Sequence, residues 1–397
     1  MKIGLVTDCL GGQSFDELLD SCVKLGIEQV ELGVGNWSSA PHVDLDGLLE
    51  SEVKRDEMKG KLKDHGLSIS AFNCSGNPLA PGDWGKREDE VTRKCFKLSE
   101  YFGLDKVVMM SGLPGGGPED RYPNWVVTSW PPETQEILDY QWNTVAIPYW
   151  KELKEVAKAH GVTKLALEPH GCQLVHDVEN FEKLRDACGG DTTIGFNLDP
   201  SHLFWMGADP VAVARALGDA IYHVHVKDVR VEKPAAVNTL LDGKGVLEFA
   251  KRSWNFAIPG YGHDERWWRE FLVTLKMMGY DGVLSIEHED YTMDTMEALG
   301  KTCACCGKIW CEEPSKPTQL LYAYTIHLHN LFAERSEIRS KTEKTAVQLP
   351  IWYAAPLFCF SFSVVLDAPA VLLKQLIDEL VYADVVFSHT THALSAK

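Results

Sequence analysis

Short β-rich runs alternate with amphipathic helical segments through the first three hundred residues of the chain. The β-rich runs span residues 2–8, 29–34, 68–73, 106–111, 164–169, 193–199, 221–228 and 283–289. The helical segments span residues 14–25, 44–65, 86–102, 133–160, 178–188, 209–217, 264–278 and 292–300. Strands that alternate with helices pair in parallel, so the pattern predicts an α/β protein.

The number of units and the placement of the long loops distinguish two parallel folds. A doubly wound open sheet usually carries a glycine-rich phosphate loop after its first strand, and Cys-Leu-Gly-Gly at 9–12 matches that loop poorly. Eight strand–helix units match a (β/α)8 TIM barrel. The long segments 35–43, 74–85, 112–132 and 229–263 all follow strands, on the side where such barrels build their active sites. We therefore predict a (β/α)8 TIM barrel with an atypical C-terminal extension.

The composition changes where the strand–helix pattern stops. Residues 302–397 carry eight Lys and Arg against nine Asp and Glu, so nearly all of the net charge of −18 lies on residues 1–301. We assign residues 1–301 to the barrel and residues 302–397 to an extension of uncertain structure. A strongly acidic barrel argues against a nucleic-acid partner, because phosphate binding needs clustered Lys and Arg.

Cysteines and apolar segments indicate the compartment. The chain has eleven cysteines and opens on a strand-like run without a signal-peptide pattern, so we expect a reducing, cytoplasmic location. The apolar stretch 345–366 contains Pro350 and Pro356 and several polar residues, and we do not expect it to span a membrane. Cys303 and Cys306 have the spacing of half a zinc site, with Cys311, His327 and His329 as the remaining candidates.

Ionisable residues gather where the last four predicted strands end. The chain reads Leu-Glu-Pro-His at 167–170, Leu-Asp-Pro-Ser-His at 198–202, His-Val-His-Val-Lys-Asp at 223–228 and Ile-Glu-His-Glu-Asp at 286–290. Side chains alternate between the two faces of a strand, so Glu168, Asp199, His225 and Glu287 are expected to converge on the barrel axis. Carboxylates at such a site repel one another unless a cation lies between them. The set predicts one divalent metal ion, with Mn²⁺, Mg²⁺ or Co²⁺ favoured and Zn²⁺ as an alternative.

His170 and Lys227 share faces with predicted ligands and are candidates for substrate contact. His223 lies one layer deeper than His225, where we expect a hydrogen-bonded core residue.

These blocks resemble the sugar phosphate isomerase/epimerase family, the xylose isomerase-like TIM barrels, and in particular the inosose dehydratases and ketose 3-epimerases. The resemblance covers about residues 1–300. It assigns the single divalent metal to Glu168, Asp199, His225 and Glu287, and sugar contact to His202. It also implies that Glu168 and Glu287 are the pair of catalytic bases. Ketose 3-epimerases carry an arginine six residues after the metal-binding histidine, whereas this chain has Val231 there and Arg230 one position earlier.

Loop residues at the predicted barrel mouth complete the candidate site. Trp37 offers an indole for stacking on a sugar, and Asn73, Arg252 and His263 are further candidates for substrate binding.

The implied chemistry is proton transfer next to a carbonyl. A metal polarises the carbonyl of an α-hydroxy ketone, one carboxylate removes the neighbouring proton to give an enediolate, and a second carboxylate returns a proton. The predicted function is a metal-dependent isomerase or epimerase of carbohydrate metabolism, acting on a small sugar, sugar phosphate or polyol. The alternative is an inosose-dehydratase-like lyase. An apurinic endonuclease-type hydrolase is disfavoured because it needs a three-zinc cluster and a basic surface. A homo-oligomer remains open.

Overall fold

The computed structural model describes residues 1–311, 346–352 and 361–367. Eight of its strands are β1 (Lys2–Val6), β2 (Gln29–Gly33), β3 (Ser68–Asn73), β4 (Lys106–Met109), β5 (Lys164–Leu167), β6 (Ile194–Leu198), β7 (Ile221–Val226) and β10 (Val283–Ile286). They pair in parallel into a closed barrel with the order β1-β10-β7-β6-β5-β4-β3-β2. The predicted (β/α)8 TIM barrel is confirmed.

Helices surround the barrel and fill the connections between strands. They are α1 (Phe15–Leu25), α2 (Leu45–Glu50), α3 (Glu52–Asp64), α4 (Asp83–Phe102), α5 (Glu133–Asp139), α6 (Ile147–Ala159), α7 (Val178–Ala187), α8 (Pro200–Met206), α9 (Pro210–Leu217), α10 (Ala235–Asn238), α11 (Glu265–Met277) and α12 (Thr295–Cys311). A π-helical segment, Tyr140–Ala146, joins α5 to α6. Local signals set the ends: Ser14 and Glu17 form a capping box at α1, and Gly26 ends that helix with a left-handed φ of 74°.

The barrel interior alternates apolar and polar layers along each strand. Ala71, Val108 and Ala166 form a small apolar cluster on β3, β4 and β5. On β5, Ala166 shares its face with Glu168, because side chains two residues apart point to the same side. On this side of the barrel the interior therefore changes from apolar to ionisable toward the carboxyl ends of the strands.

Two predicted elements have different bounds in the structure. The predicted seventh strand ends at Val226, and Asp228 begins β8 (Asp228–Val231), which pairs antiparallel with β9 (Trp254–Ala257). This hairpin carries the long insertion between β7 and α11. The predicted helix 44–65 breaks at Ser51, whose hydroxyl caps α3.

The last barrel helix extends past the predicted domain boundary at residue 301. Ala298, Leu299, Thr302 and Cys306 are all buried, so the inward-facing stripe of α12 continues beyond Gly300. The chain divides into two compact units, Met1–Glu313 and Pro314–Lys397.

In the second unit, β11 (Ala346–Trp352) pairs antiparallel with β12 (Ser361–Asp367). These strands contain parts of the apolar stretch 345–366, and the rest of it lies outside the described residues, as do His327 and His329. In the part of the chain that the structure describes, no helix combines the length and apolar character needed to cross a bilayer.

Candidate metal centre and active site

The four predicted ligands meet at the carboxyl ends of four neighbouring strands. Glu168 follows β5, Asp199 follows β6, His225 lies in β7 and Glu287 follows β10. Each offers one ligand atom, and these atoms all lie within 4.8 Å of one another. The convergence expected from strand alternation is therefore present in the structure.

Asp199 is held by the start of the next helix. It is the N-cap residue of α8, and its Oδ1 accepts a hydrogen bond of 2.8 Å from the backbone N–H of Ser201. Its Oδ2 is buried, makes no aligned hydrogen bond within the described residues and lies 3.1 Å from Nζ of Lys227. One carboxylate oxygen thus anchors the side chain, and the other faces the ligand group.

His225 also presents an unsatisfied atom to this group. Its Nδ1 lies 3.0 Å from Oε2 of Glu287 and 3.2 Å from Oε2 of Glu168, but it makes no aligned hydrogen bond within the described residues. An imidazole nitrogen and three carboxylates with free lone pairs are a donor set for a divalent cation. The residues therefore fit the metal that the fold family implies.

Lys227 is the buried cation of the site. Its Nζ lies 2.7 Å from Glu287, 3.0 Å from Glu289 and 3.1 Å from Asp199. Burial opposes its ionisation, but Asp199 and Glu287 hold its pKa well above the ordinary value.

The ligand carboxylates have different proton affinities in the metal-free structure. Burial raises the pKa of Asp199 to about 7, while Lys227 acts in the opposite direction. Burial also opposes ionisation of Glu287, but Lys227 and His225 lower its pKa to about 2. Asp199 is therefore the ligand with the greater need for a further positive charge.

His202 is neutral and has a defined orientation. Burial lowers its pKa to about 3, with His170 and Lys227 acting in the same direction. Its Nδ1 accepts a hydrogen bond of 3.4 Å from the indole N–H of Trp205, which leaves the proton on Nε2. Nε2 lies 3.2 Å from Oε1 of Glu168 but makes no aligned hydrogen bond within the described residues, so the N–H of His202 lies beside that carboxylate.

A cavity of about 560 Å³ opens above the ligand group. Five predicted substrate-binding residues are in its lining: Trp37, Asn73, His170, His202 and Lys227. On one wall the ring centroids of Trp37 and His170 lie 5.5 Å apart. The ring centroids of His170 and His202 lie 4.1 Å apart. This wall is the aromatic surface expected for a sugar ring.

The structure does not bring Arg252 or His263 into this lining. The guanidinium of Arg252 donates to the backbone carbonyls of Lys244 and Trp254 and lies in a smaller side cavity. Nδ1 of His263 is 2.8 Å from Oδ1 of Asp228, and its ring stacks on Phe204. In the structure these side chains hold the β8–β9 insertion in place, and their roles in substrate binding stay predictions.

The sequence pattern did not single out two carboxylates near the ligand group, one on the cavity wall and one beneath it. Asp8, two residues after β1, lines the cavity, and its Oδ1 is buried with no hydrogen-bond partner within the described residues. Glu31, in β2, is fully buried beneath the ligand group and contacts His225. Each is a single acidic residue in or just after a strand. Only the register of the barrel shows that its side chain faces inward.

The comparisons with known proteins agree with this geometry. The model of the xylose isomerase-like TIM barrel family matches residues 19–306. An uncharacterized protein, YfiH of Bacillus subtilis (strain 168), is 50% identical over 312 residues, which cover 76% of this chain and 99% of YfiH. An inosose dehydratase of Clostridium perfringens (strain ATCC 13124) is 29% identical over 155 residues, 38% of this chain and 49% of that enzyme.

Solved structures of low sequence identity share the fold. The probable 3-DHS dehydratase AsbF of Bacillus anthracis superposes with a TM-score of 0.54 at 19% identity, covering 77% of this chain and 98% of AsbF. An L-ribulose 3-epimerase superposes with a TM-score of 0.52 at 18% identity, covering 86% of this chain and 99% of the epimerase. IolI, solved with a zinc atom, superposes with a TM-score of 0.54 at 18% identity, covering 78% of this chain and 98% of IolI.

Fold and site together define a (β/α)8 barrel with a carboxylate–histidine centre at its C-terminal mouth. The chain belongs to the xylose isomerase-like TIM barrel family.

Proposed function

We propose that this protein is a metal-dependent sugar isomerase or epimerase. The observation that carries the proposal is the meeting of Glu168, Asp199, His225 and Glu287 within 4.8 Å at the floor of the cavity. A divalent metal held by these four residues would polarise a substrate carbonyl as a Lewis acid. Mn²⁺, Mg²⁺ or Co²⁺ is favoured by the oxygen-rich donor set, and Zn²⁺ remains the alternative.

Glu168 and Glu287 supply the proton transfers. They enter the site from β5 and β10, which are separated in the barrel by β7 and β6, and so approach the floor from different sides. One carboxylate removes the proton next to the carbonyl, and the other returns a proton to the resulting enediolate. Return to the opposite face of the same carbon epimerises it, whereas return to the neighbouring carbon isomerises the sugar.

Neutral and cationic groups orient the substrate in this proposal. His202 presents an N–H beside Glu168, and Lys227 presents an ammonium beside Glu287. Both donate to substrate oxygens while Trp37 and His170 line one face of the ring. Hydrogen-bond donors at these positions orient the substrate so that its carbon–hydrogen bond points at the catalytic carboxylate.

The charge of the cavity favours an unphosphorylated substrate. Apart from Lys227, its described lining contains no Lys or Arg, and it includes Asp8, Glu289 and Asp290 in addition to two of the ligand carboxylates. Lys227 is already paired with carboxylates. A phosphate would meet net negative charge there, and beyond Lys227 the described lining offers no basic side chain to bind it.

A dehydratase is the second candidate, supported by the match to inosose dehydratase over about half of that enzyme. It would use the same first proton abstraction and then expel a β-hydroxyl group. The cytoplasmic location expected from the sequence, and homo-oligomer formation, stay predictions.

The test is a panel of free ketoses, their phosphates and inososes, incubated in D₂O with Mn²⁺-loaded protein and followed by NMR. A new stereocentre or a shifted carbonyl with incorporated deuterium supports the proposal, and loss of water supports the dehydratase. Glu168→Gln and Glu287→Gln should each abolish deuterium incorporation. Glu179→Gln, at the start of α7, is the matched control and should keep it. Full activity in chelator-treated protein would overturn the metal-dependent mechanism.

A further inference from the structure

A buried carboxylate below the metal centre has no part in the proposed proton transfers. Glu31 lies on β2, on the far side of the barrel from β7, and its side chain is 0% exposed. An ionised carboxylate in such a place must be fully hydrogen-bonded to be tolerated. Its partners show what it does.

Four side chains surround the Glu31 carboxylate. Oε1 accepts from Nδ2 of Asn73 at 2.7 Å, and Oε2 accepts from Oγ of Ser285 at 2.7 Å. Nε2 of His223 lies 2.7 Å from Oε2, and Nε2 of His225 lies 3.1 and 3.2 Å from the two oxygens. A carboxylate has about four lone-pair positions, and these four groups use them.

Glu31, His223 and His225 also meet the distance criterion for a metal group by themselves. The hydrogen bonds argue against an ion there, because Asn73 and Ser285 can only donate to this carboxylate. A cation would have to displace both donors inside a closed barrel. The cluster is therefore a hydrogen-bonding network, and it leaves the other ring nitrogen of His225 facing the ligand group.

We propose that Glu31 is the positioning residue of the metal centre. By accepting a hydrogen bond from Nε2–H of His225, it fixes the ring orientation and leaves the Nδ1 lone pair directed at Glu168, Asp199 and Glu287. Metal-binding histidines commonly donate their second ring N–H to a carboxylate in this way. The inference rests on the proposed function, since it needs a metal at that ligand group.

The network also joins the metal centre to the cavity wall. Asn73 lines the cavity and holds Glu31, which holds His225. Ser285 and His223 fix the carboxylate from β10 and β7. The orientation of the ligand is thus set by four strands of the barrel.

The first experiment measures Mn²⁺ binding by titration calorimetry of the chelator-treated full chain. Glu31→Gln should raise the dissociation constant by about 10-fold to 100-fold, and Glu31→Ala by more, because outer carboxylates have effects of that size. Ser285→Ala removes one of the four hydrogen bonds that hold the Glu31 carboxylate and keeps the contact of Glu31 with His225, so it should raise the constant by a smaller factor than Glu31→Gln. An equal constant in wild type and folded Glu31→Gln would overturn the proposal.

A second measurement uses the wild type and does not depend on the variants folding. In Zn²⁺-loaded protein with ¹⁵N-labelled histidine, long-range proton–nitrogen spectra should show His225 protonated at Nε2 and metal-bound at Nδ1. The signal is assigned by its absence in His225→Asn. Metal bound through Nε2 would overturn the positioning role of Glu31 and leave the proposed function standing. Failure of wild type to bind Mn²⁺ or Zn²⁺ would overturn the proposed function together with it.

Discussion

The ammonium nitrogen of Lys227 lies 2.7 Å from Oε2 of Glu287, inside the group of carboxylates that is proposed to bind the metal. A single side chain thus supplies part of the positive charge that this end of the barrel needs. In the proposed site, Lys227 and the metal would neutralise the same carboxylates, so removal of the lysine should change how much the metal stabilises the protein.

Lys227→Met should destabilise the metal-free protein by about 3–5 kcal/mol, because breaking a buried ion pair leaves carboxylates without a partner. Mn²⁺ should restore more stability in the variant than in the wild type. Calorimetric unfolding with and without Mn²⁺ measures both effects. Lys54→Met, which breaks an exposed pair with Asp44, is the matched control. Equal Mn²⁺-induced shifts in Tm for wild type and Lys227→Met would contradict this account.

Removal of the metal should lower stability by mass action. With free Mn²⁺ at about 100 times its dissociation constant, the free energy of unfolding should rise by about 2.7 kcal/mol over the chelator-treated protein. Denaturant titrations monitored by tryptophan fluorescence provide the measurement. His225→Asn should show a much smaller rise, and an undiminished rise in that variant would place the ion elsewhere.

His263→Ala tests whether that residue holds the β8–β9 insertion in place. Its ring nitrogen bonds the buried Asp228, which also accepts from the indole N–H of Trp268 at 3.1 Å. Loss of a hydrogen bond to a charged group should cost about 1.5–3 kcal/mol of stability, whereas the Mn²⁺ dissociation constant should not change. Unchanged stability in the variant would contradict this structural role.

Asp191→Asn should show a pH-dependent effect on stability. Partial burial opposes ionisation, but hydrogen bonds from Lys158, Thr193 and Lys154 hold the pKa of Asp191 below its ordinary value of 3.8. A lowered pKa in the folded state stabilises the protein above that ordinary value, and the contribution is lost as pH falls toward the folded-state pKa. The stability difference between wild type and variant should therefore shrink below pH 3.8.

Urea unfolding at a series of pH values measures this difference. A double-mutant cycle with Lys158→Met assigns the effect to the ion pair. A difference that stays constant down to the lowest pH would exclude the carboxylate charge as its source.

The sequence alone was enough to predict the barrel and the ligand group. Glu168, Asp199 and Glu287 each follow an apolar strand directly, so the strand pattern alone determines where their side chains lie. Glu31 sits inside a strand, and a register shift between β2 and β3 falls at Val30 and Glu31. Which side of the sheet such a residue faces depends on pairing that no local pattern specifies.

The long insertion between β7 and α11 was the least predictable part. Arg252 and His263 lie in segments without strand or helix periodicity, so their exposure could not be read from spacing. Asp228 was read as the end of the seventh strand, but it begins the β8–β9 hairpin. Only the tertiary contacts of these two side chains show that they hold the insertion in place.

Strand β7 and the residue that follows it place His223, His225 and Lys227 two residues apart, at three depths along the barrel axis. Its neighbours hold that alignment through the pairing of Ser285 with His225 and of Asn197 with His223. A slip of one residue would turn all three side chains toward the surrounding helices at once. The pairing of this one strand therefore decides whether the ligand atom of His225 and the ammonium group of Lys227 reach the site at all.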